Sequence, residues 1–141
     1  MSKEYKLVHI EKPEESAWGI IGNGLSTYNI EKAGDNKFER LCYAIQNESD
    51  EILGGILGEI YWGWPYIDLL WVKDELRGQG YGHQLLTKLE DEARQRSAKH
   101  AYLDTFSFQV PDFYKDPGYE VFGELEGFPF GHQRYFFRKE L

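Results

Sequence analysis

The sequence predicts a mixed α/β fold, and three observations support this prediction. Residues 80–98 have apolar side chains at helical spacing, and strand-like runs lie on either side, YIDLLWV at 66–72 and HAYLDTFSF at 100–108. A strand, a helix and a second strand of similar character are typical of a crossover between parallel neighbours. Before them, LCYAIQ and EILGGILGEIYWG flank the polar turn NESD, which favours an antiparallel meander that continues into 66–72.

The N-terminal part of the chain is predicted to contain one strand and one helix. The run KEYKLVHI at 3–10 has the character of a first strand. Residues 13–34 carry apolar side chains at near-helical spacing despite interior glycines, namely Ala17, Ile20, Ile21, Leu25 and Tyr28. We therefore expect a strand and then a helix before the meander begins.

The helix at 80–98 has the clearest pattern in the chain. Its apolar stripe consists of Leu85, Leu86, Leu89 and Ala93. Opposite charges recur four residues apart, from Glu90 to Arg94 and from Glu92 to Arg96, and we expect both pairs to face outward.

The C-terminal third is predicted to add one short helix and two strands. The helix lies within 110–125 and ends at Asp116-Pro117-Gly118, because proline disfavours helix in the residue before it and glycine accepts a positive φ. A strand follows, and QRYFFRKEL at 133–141 predicts the last one. These elements predict a sheet of six or seven strands in a single domain covering residues 1–141.

The composition narrows the classes of partner. The formal net charge of −8 repels phosphates and anionic lipid, so we expect neither nucleic acid nor membrane as a partner. The single cysteine, Cys42, lies among apolar residues and is expected in the core; it cannot form an intrachain disulfide. No zinc-binding Cys/His spacing, signal segment or membrane-length apolar run is found, so we expect a cytoplasmic protein without a metal.

The glycine-rich stretch RGQGYG at 77–82 lies between a predicted strand and the start of the clearest helix. Amides at a helix N-terminus lack internal partners and face a positive dipole, and glycine lets a phosphate approach them without meeting a Cβ. A dinucleotide fingerprint would need glycine where His83 stands, and the Gly-Lys-Ser/Thr of a Walker loop is absent. A tight turn without a ligand, or an unrelated nucleotide-binding domain, remains an alternative.

The longer stretch LLWVKDELRGQGYGHQLL resembles motif A of the GNAT N-acetyltransferase superfamily, with Arg77, Gly80 and Gly82 matching its Arg/Gln-x-x-Gly-x-Gly/Ala pattern. The segment FYKDPGYEVFG is similar to motif B of that family, through Tyr114, Gly118 and the aromatic residue after it. The two motifs occur in the family's order. The resemblance extends over nearly the whole chain and implies the GNAT fold, in which parallel strands splay apart to form the acetyl-CoA cleft.

The resemblance also implies how acetyl-CoA would be held. The amides of the loop would bind the pyrophosphate, and the strand before the loop would pair through its backbone with the pantetheine arm. In the family a backbone N–H of that strand polarises the thioester carbonyl, which here falls on Val72 or Trp71. The implied coenzyme contacts are Leu70, Trp71, Val72, Arg77, Gly78, Gln79, Gly80, Tyr81, Gly82 and His83.

Acetyl transfer to an amine also needs a proton for the departing thiolate and a group that takes a proton from the amine. Tyr114 matches the family's motif B tyrosine and is the first candidate for the acid; ordinary aromatic packing is the alternative. Asp68 is the leading candidate for the base. Strand alternation predicts that it shares a face with Tyr66 and Leu70, although pairing with an Arg or Lys would also explain it.

Other residues are secondary candidates. Glu59 and Asp104 are lone acids inside strand-like runs, and water is an alternative base. His83 is expected to offer its amide rather than its ring, and no partner for His132 can be deduced from the sequence. We expect an acetyl-CoA-dependent N-acetyltransferase that acts on a small-molecule or peptide amine. A non-catalytic acyl-CoA-binding module is the alternative hypothesis, and a homodimer formed through the last strands is a further one.

Overall fold

The computed structural model describes residues 3–141, which form two compact units, one up to Asn36 and one from Lys37 to Leu141. The first unit contains helix α1, Ala17–Ala33, which confirms the predicted helix. Residues 3–10 form no strand, so that prediction is wrong. Apolar spacing alone does not make a strand, which also needs a neighbour for its backbone hydrogen bonds. No ladder in the described part of the chain includes this run.

The second unit is a six-stranded sheet with one long helix, α2, Tyr81–Gln95. The strands are β1, Glu39–Gln46; β2, Ile52–Tyr61; β3, Trp64–Val72; β4, His100–Phe106; β5, Glu120–Glu126; and β6, Gln133–Glu140. The strand order is β1-β2-β3-β4-β6-β5, and only β3 and β4 are parallel neighbours, as the crossover pattern predicted. The single domain over 1–141 stays a prediction.

Two short 3-10 turns connect these elements. The first, Asp74–Leu76, leads from β3 to the glycine loop, and the second, Pro111–Tyr114, follows β4. The second turn stands where the sequence predicted a short helix. Gly118, in the predicted stop, has a φ of +103°, a conformation that favours glycine.

The core lies between α2 and one face of the sheet. The predicted stripe of α2 is buried there and packs on side chains that alternate along the strands, such as Ile56, Ile67, Leu103 and Phe137. We call this the core face. The opposite face of the sheet, which carries Tyr66, Tyr102, Asp104 and Arg134, is called the second face.

The prediction that Glu90 faces outward is wrong. Glu90 is 4% exposed, and its carboxylate accepts hydrogen bonds from the Tyr119 hydroxyl at 2.8 Å and from Lys139 Nζ at 2.9 Å. It therefore does not pair outward with Arg94, because Tyr119 and Lys139 hold its carboxylate in the core. The predicted pair of Glu92 and Arg96 is confirmed at 2.8 Å.

Cys42 is exposed rather than in the core. It stands on β1 next to Leu41 and Tyr43, which contribute to the core face. Successive side chains of a strand point to opposite faces, so Cys42 points away from α2. Its apolar neighbours in the sequence did not reveal on which face it lies.

β3 and β4 separate soon after they pair. Their parallel ladder contains only Tyr66 with Tyr102 and Ile67 with Leu103. Beyond it, β3 bulges against β2: Gly58 pairs with Ile67, and the next pair joins the residue before Gly58 to the residue after Asp68. A bulge adds one unpaired residue and bends the strand. Asp68 is that extra residue, and it marks the point of divergence.

Candidate active site

The glycine loop has the backbone geometry that an anion site requires. Gly78 and Gly80 have φ values of +76° and +86°, which residues with a Cβ rarely adopt. The first helical hydrogen bond runs from the Gln84 N–H to the Gly80 carbonyl at 3.1 Å. The amides before Gln84 therefore precede the internal bonding of α2 and lie at the positive end of its dipole.

Gly82 connects this loop to the turn that carries Tyr114. A Cβ at Gly82 would lie 3.1 Å from the Phe113 ring, closer than ordinary packing allows. The His83 ring stacks on the same ring, with centroids 4.2 Å apart. A phenyl ring thus fits directly against the start of α2. The side chain of His83 contributes to this packing, and the role of its amide in binding a ligand stays a prediction.

The Arg77 side chain is held by two residues close to it in the sequence. Its Nε donates to the Val72 carbonyl at 2.8 Å, and its guanidinium pairs with Asp74 at 2.7 Å. The Lys73 N–H donates to the Leu53 carbonyl on β2. Because backbone directions alternate along a strand, the Val72 N–H is on the side away from β2, toward β4. Val72 rather than Trp71 therefore directs its N–H into the space between β3 and β4 beyond Ile67 and Leu103, which we call the opening.

Asp68 lies where the opening begins. It is exposed, and no cation within residues 3–141 forms an ion pair with it. The predicted alternation is wrong at this position, because the bulge lets Leu70 pack on the core while Tyr66 lies on the second face. The charge of Asp68 is close enough to contribute, after burial and Asp104, to raising the pKa of Tyr66.

Tyr114 is half-buried on the core side of the opening. Its ring meets those of Phe113, Tyr119 and Phe137 with centroids 4.9–5.9 Å apart. Burial, and then the charge of Asp104, raise the pKa of Tyr114 to about 12. The phenol therefore keeps its proton at neutral pH, which is the state that a proton donor needs.

Asp104 is engaged in a network that the sequence did not reveal. Its carboxylate accepts from the Tyr66 hydroxyl at 2.5 Å and from Arg134 Nε at 2.8 Å, with a second Arg134 contact at 2.5 Å. Both oxygens of this carboxylate are therefore already occupied by partners on neighbouring strands. Arg134 is 30 residues away in the sequence, and only the pairing of β4 with β6 brings it here.

The remaining candidates lie away from the opening or have partners of their own. Glu59 pairs with Arg40 at 3.7 Å, and its side chain is partly exposed. His132 approaches the edge of the Phe108 ring, at 5.2 Å between centroids. Within residues 3–141 no three His, Cys, Asp or Glu side chains are grouped to hold a metal, and no helix has the length and hydrophobicity to cross a bilayer.

A sequence model described as the acetyltransferase (GNAT) family matches residues 6–119 of the chain. The chain belongs to the GNAT family. It is 34% identical over 105 residues to an acetyltransferase of Agrobacterium fabrum, covering 74% of this chain and 77% of the relative. It is 35% identical over 95 residues to the blasticidin-S acetyltransferase of Streptomyces morookaense, covering 67% and 70%. The resemblance noted from the motifs is thus confirmed, and the chain is an acetyltransferase.

Solved GNAT structures share the fold. A crystal structure of an acetyltransferase from Bacillus cereus matches with a TM-score of 0.85 and 34% identity, over 98% of both chains. A Bacillus anthracis protein described as a streptothricin acetyltransferase was solved with acetyl coenzyme A; it matches with a TM-score of 0.63 and 18% identity, over 72% of this chain and 62% of that one. The predicted GNAT fold is confirmed, and GNAT neighbours bind acetyl-CoA.

Proposed function

We propose that this GNAT protein transfers the acetyl group of acetyl-CoA directly to a primary amine of a small molecule or peptide. The observation that carries the proposal is the divergence of β3 from β4 directly after Ile67 and Leu103, beside a glycine loop that opens α2. The opening would receive the thioester, and the loop would receive the charged end of the coenzyme. The matching relatives are named acetyltransferases, which supports catalysis over a non-catalytic module.

The residues that would hold acetyl-CoA are mostly backbone groups. The loop amides from Gly78 to His83 would donate to the pyrophosphate, where the dipole of α2 favours negative charge. The side of β3 that faces β4 is unpaired beyond Ile67, so Leu70 and Val72 would meet the pantetheine arm there. A depression of about 350 Å³ between α2 and the Asp116-Pro117 turn would leave room for the nucleotide end.

The chemistry would divide among three groups. The amine nitrogen attacks the thioester carbon, whose oxygen accepts from the Val72 N–H as negative charge develops. The new C–N bond forms and the C–S bond breaks, and the departing sulfur takes the proton of the Tyr114 hydroxyl. Asp68 would accept the proton that the amine loses, directly or through water. Of the acids considered, Asp68 combines a position at the divergence with the lack of an ion-pair partner in the described chain.

The acceptor is proposed by class. The relative from Streptomyces morookaense is named a blasticidin-S acetyltransferase, so blasticidin S is a sensible first probe. The net charge of −8 favours a cationic amine over a polyanionic partner. A cytoplasmic location and a reaction without a metal are part of this proposal, and a homodimer stays a hypothesis.

The experiment is an acetyl-transfer assay. The purified protein is incubated with radiolabelled acetyl-CoA and a panel of amines that includes blasticidin S, polyamines and peptides, and acetylated product and free CoA are both quantified. We expect equal amounts of the two with at least one amine. Calorimetry with CoA, ATP and NAD provides the control. Preference for ATP or NAD, or CoA binding without transfer to any amine, would contradict the proposal.

A further inference from the structure

Three phenylalanine rings meet at the C-terminal end of β4, and a fourth phenylalanine lies in the same turn as one of them; none takes part in the proposed chemistry. The Phe106 ring stacks on Phe108, with centroids 5.2 Å apart and planes 13° apart, and it meets Phe128 at 5.5 Å. Phe130 lies on the same turn as Phe128, between β5 and β6. We call Phe106, Phe108, Phe128 and Phe130 the phenyl cluster. It is built from two separate segments of the chain, so the fold rather than the local sequence assembles it.

The Arg134 side chain packs against two rings of the phenyl cluster. The Arg134 guanidinium lies over Phe128 at 5.0 Å and over Phe106 at 5.5 Å from the ring centroids. The carboxylate of Asp104 holds that guanidinium in place and balances its charge. Two rings of the cluster are therefore pre-arranged, and the surface that they form is apolar rather than charged.

The cluster also lies close to the point where acetyl transfer is proposed. Phe106 is three residues beyond Leu103, the last residue of β4 that pairs with β3. A strand rises roughly 3.3 Å per residue, which places Phe106 about 10 Å from the last paired position. It shares the second face with Asp104, since side chains alternate along β4. That distance is within the span of one small molecule.

Several rings of the cluster present free surface. Phe108 is 57% exposed, Phe128 41% and Phe130 97%. Exposed rings beside a catalytic opening are typical of sites where a ligand supplies a matching flat group, because offset and edge contacts between rings add to simple burial. A charged ligand group would gain little here, as the nearby cation is already paired.

We propose that the acceptor amine carries an aromatic or heteroaromatic ring, which lies against Phe108, Phe128 and Phe130 while the amine reaches Asp68. The inference rests on the proposed function and specifies its substrate class. It makes the phenyl cluster a specificity site for the acceptor, separate from the loop that would bind the coenzyme. A ring and an amine separated by about four carbons fit the distance from the cluster to the divergence.

The test uses two amines that differ only in aromaticity, 4-phenylbutylamine and 4-cyclohexylbutylamine. The wild-type protein is expected to acetylate the phenyl compound with a kcat/KM about tenfold higher, although the cyclohexyl compound is the more hydrophobic. Phe108→Leu and Phe130→Leu should each reduce this ratio toward one while CoA affinity stays unchanged. Phe122→Leu is the matched control, since Phe122 is 49% exposed on β5 and contacts Phe136 rather than the cluster.

Each other outcome has a defined meaning. A ratio near one in the wild type, a ratio that survives both cluster variants, or transfer to other amines but to neither of this pair would overturn the inference and leave the acetyltransferase proposal intact. No transfer to any amine would instead overturn the proposed function. If Phe130→Leu changes the mass seen by light scattering and keeps the ratio, the cluster is a subunit contact and the inference is wrong.

Discussion

Two carboxylates of the sheet unit, Glu90 and Asp104, each hold a tyrosine hydroxyl and a cationic side chain, but they do so on opposite faces of the sheet. The Glu90 network lies on the core face, with Tyr119 and Lys139 as its partners. Only 6% of the Glu90 side chain and 15% of the Lys139 side chain are exposed. It joins α2 to β6 and to the segment before β5, where it fixes the packing of the helix on the sheet.

The Asp104 network lies on the second face, at the end of the short ladder between β3 and β4. It joins Tyr66 of β3 to Arg134 of β6 through the carboxylate on β4. Burial and then the hydrogen bond to Asp104 raise the pKa of Tyr66. The network thus fastens three strands together directly below the place where two of them separate.

A carboxylate, a tyrosine and a cation form both networks, but the two networks have different roles because their surroundings differ. Around Glu90 the neighbours are apolar core residues, so its loss should be seen in stability. Around Asp104 the neighbours are the diverging strands and Tyr114, whose pKa its charge raises after burial. Changes at Asp104 should therefore be seen in activity and its pH dependence.

The largest effect is expected at Tyr114. Its ring contacts Tyr119 of the Glu90 network, and the charge of Asp104 contributes to raising its pKa. Tyr114→Phe keeps the packing and removes the proton, so kcat should fall by about 10²- to 10⁴-fold with CoA affinity unchanged. Steady-state kinetics and calorimetry measure both. Tyr43→Phe, which removes a hydroxyl that donates to Glu92, is the control. A kcat within about threefold of the wild-type value would rule out the role of Tyr114 as the acid.

The second effect is expected in stability. Lys139→Met keeps the length of the side chain but leaves the buried Glu90 carboxylate without its cation, which should lower the free energy of unfolding by about 3 kcal/mol. Urea denaturation measures this. Lys115→Met removes an exposed pair with Asp112 and should leave the unfolding midpoint unchanged. Equal free energies of unfolding for the two variants would show that the pair of Glu90 and Lys139 does not stabilise the fold.

A smaller effect is expected from Asp104→Asn, and it should depend on pH. Burial and the Asp104 charge hold the pKa of Tyr114 at about 12, so the wild-type kcat should stay level through pH 10, where an ordinary tyrosine loses its proton. Removing the charge lowers that pKa, and the basic limb of the kcat profile should move to lower pH. At pH 7.5 the loss should be less than about tenfold, because Tyr114 is protonated in both proteins.

The control for this variant is Glu59→Gln, which removes a carboxylate that pairs with Arg40. Its basic limb should stay in place. The raised pKa of Tyr114 also affects stability, because protonated Tyr114 contributes stability below pH 10 that is lost as the pH rises through about 12. An unchanged limb in Asp104→Asn would show that the two groups are not coupled.

The smallest effect is expected at Arg94, which the sequence paired with Glu90 and the structure pairs with Asp91 at 2.9 Å on the surface of α2. Arg94→Gln should change the free energy of unfolding by less than about 0.5 kcal/mol. Thermal and urea unfolding of this variant beside Lys139→Met would sharpen the contrast between an exposed charge and a buried one. A loss of about 3 kcal/mol, as expected for a buried pair, would mean that Arg94 supports the core.

The sequence predicted the features that depend on neighbours along the chain. The stripe of α2, the meander and the glycine loop were all predicted, because periodicity and glycine conformations are local properties. The motifs that resemble the GNAT family added the fold. These features place the loop next to the opening, but they do not determine which side chains face it.

The features that the sequence did not reveal depend on contacts between distant segments. Glu90 faces inward because it pairs with Lys139, which lies on β6 and is 49 residues away in the sequence. Asp68 departs from simple alternation because β3 bulges against β2, and a bulge is a property of two strands together. The link between Asp104 and Arg134 likewise needs the register of β4 and β6. No single-strand pattern contains this information.

The most direct test of the central claim is a crystal structure of the protein with CoA bound. We expect the pyrophosphate to accept hydrogen bonds from amides between Gly78 and His83, and the sulfur to lie between β3 and β4 within reach of the Tyr114 hydroxyl. A complex in which this loop is empty and CoA binds elsewhere on the protein would contradict the account.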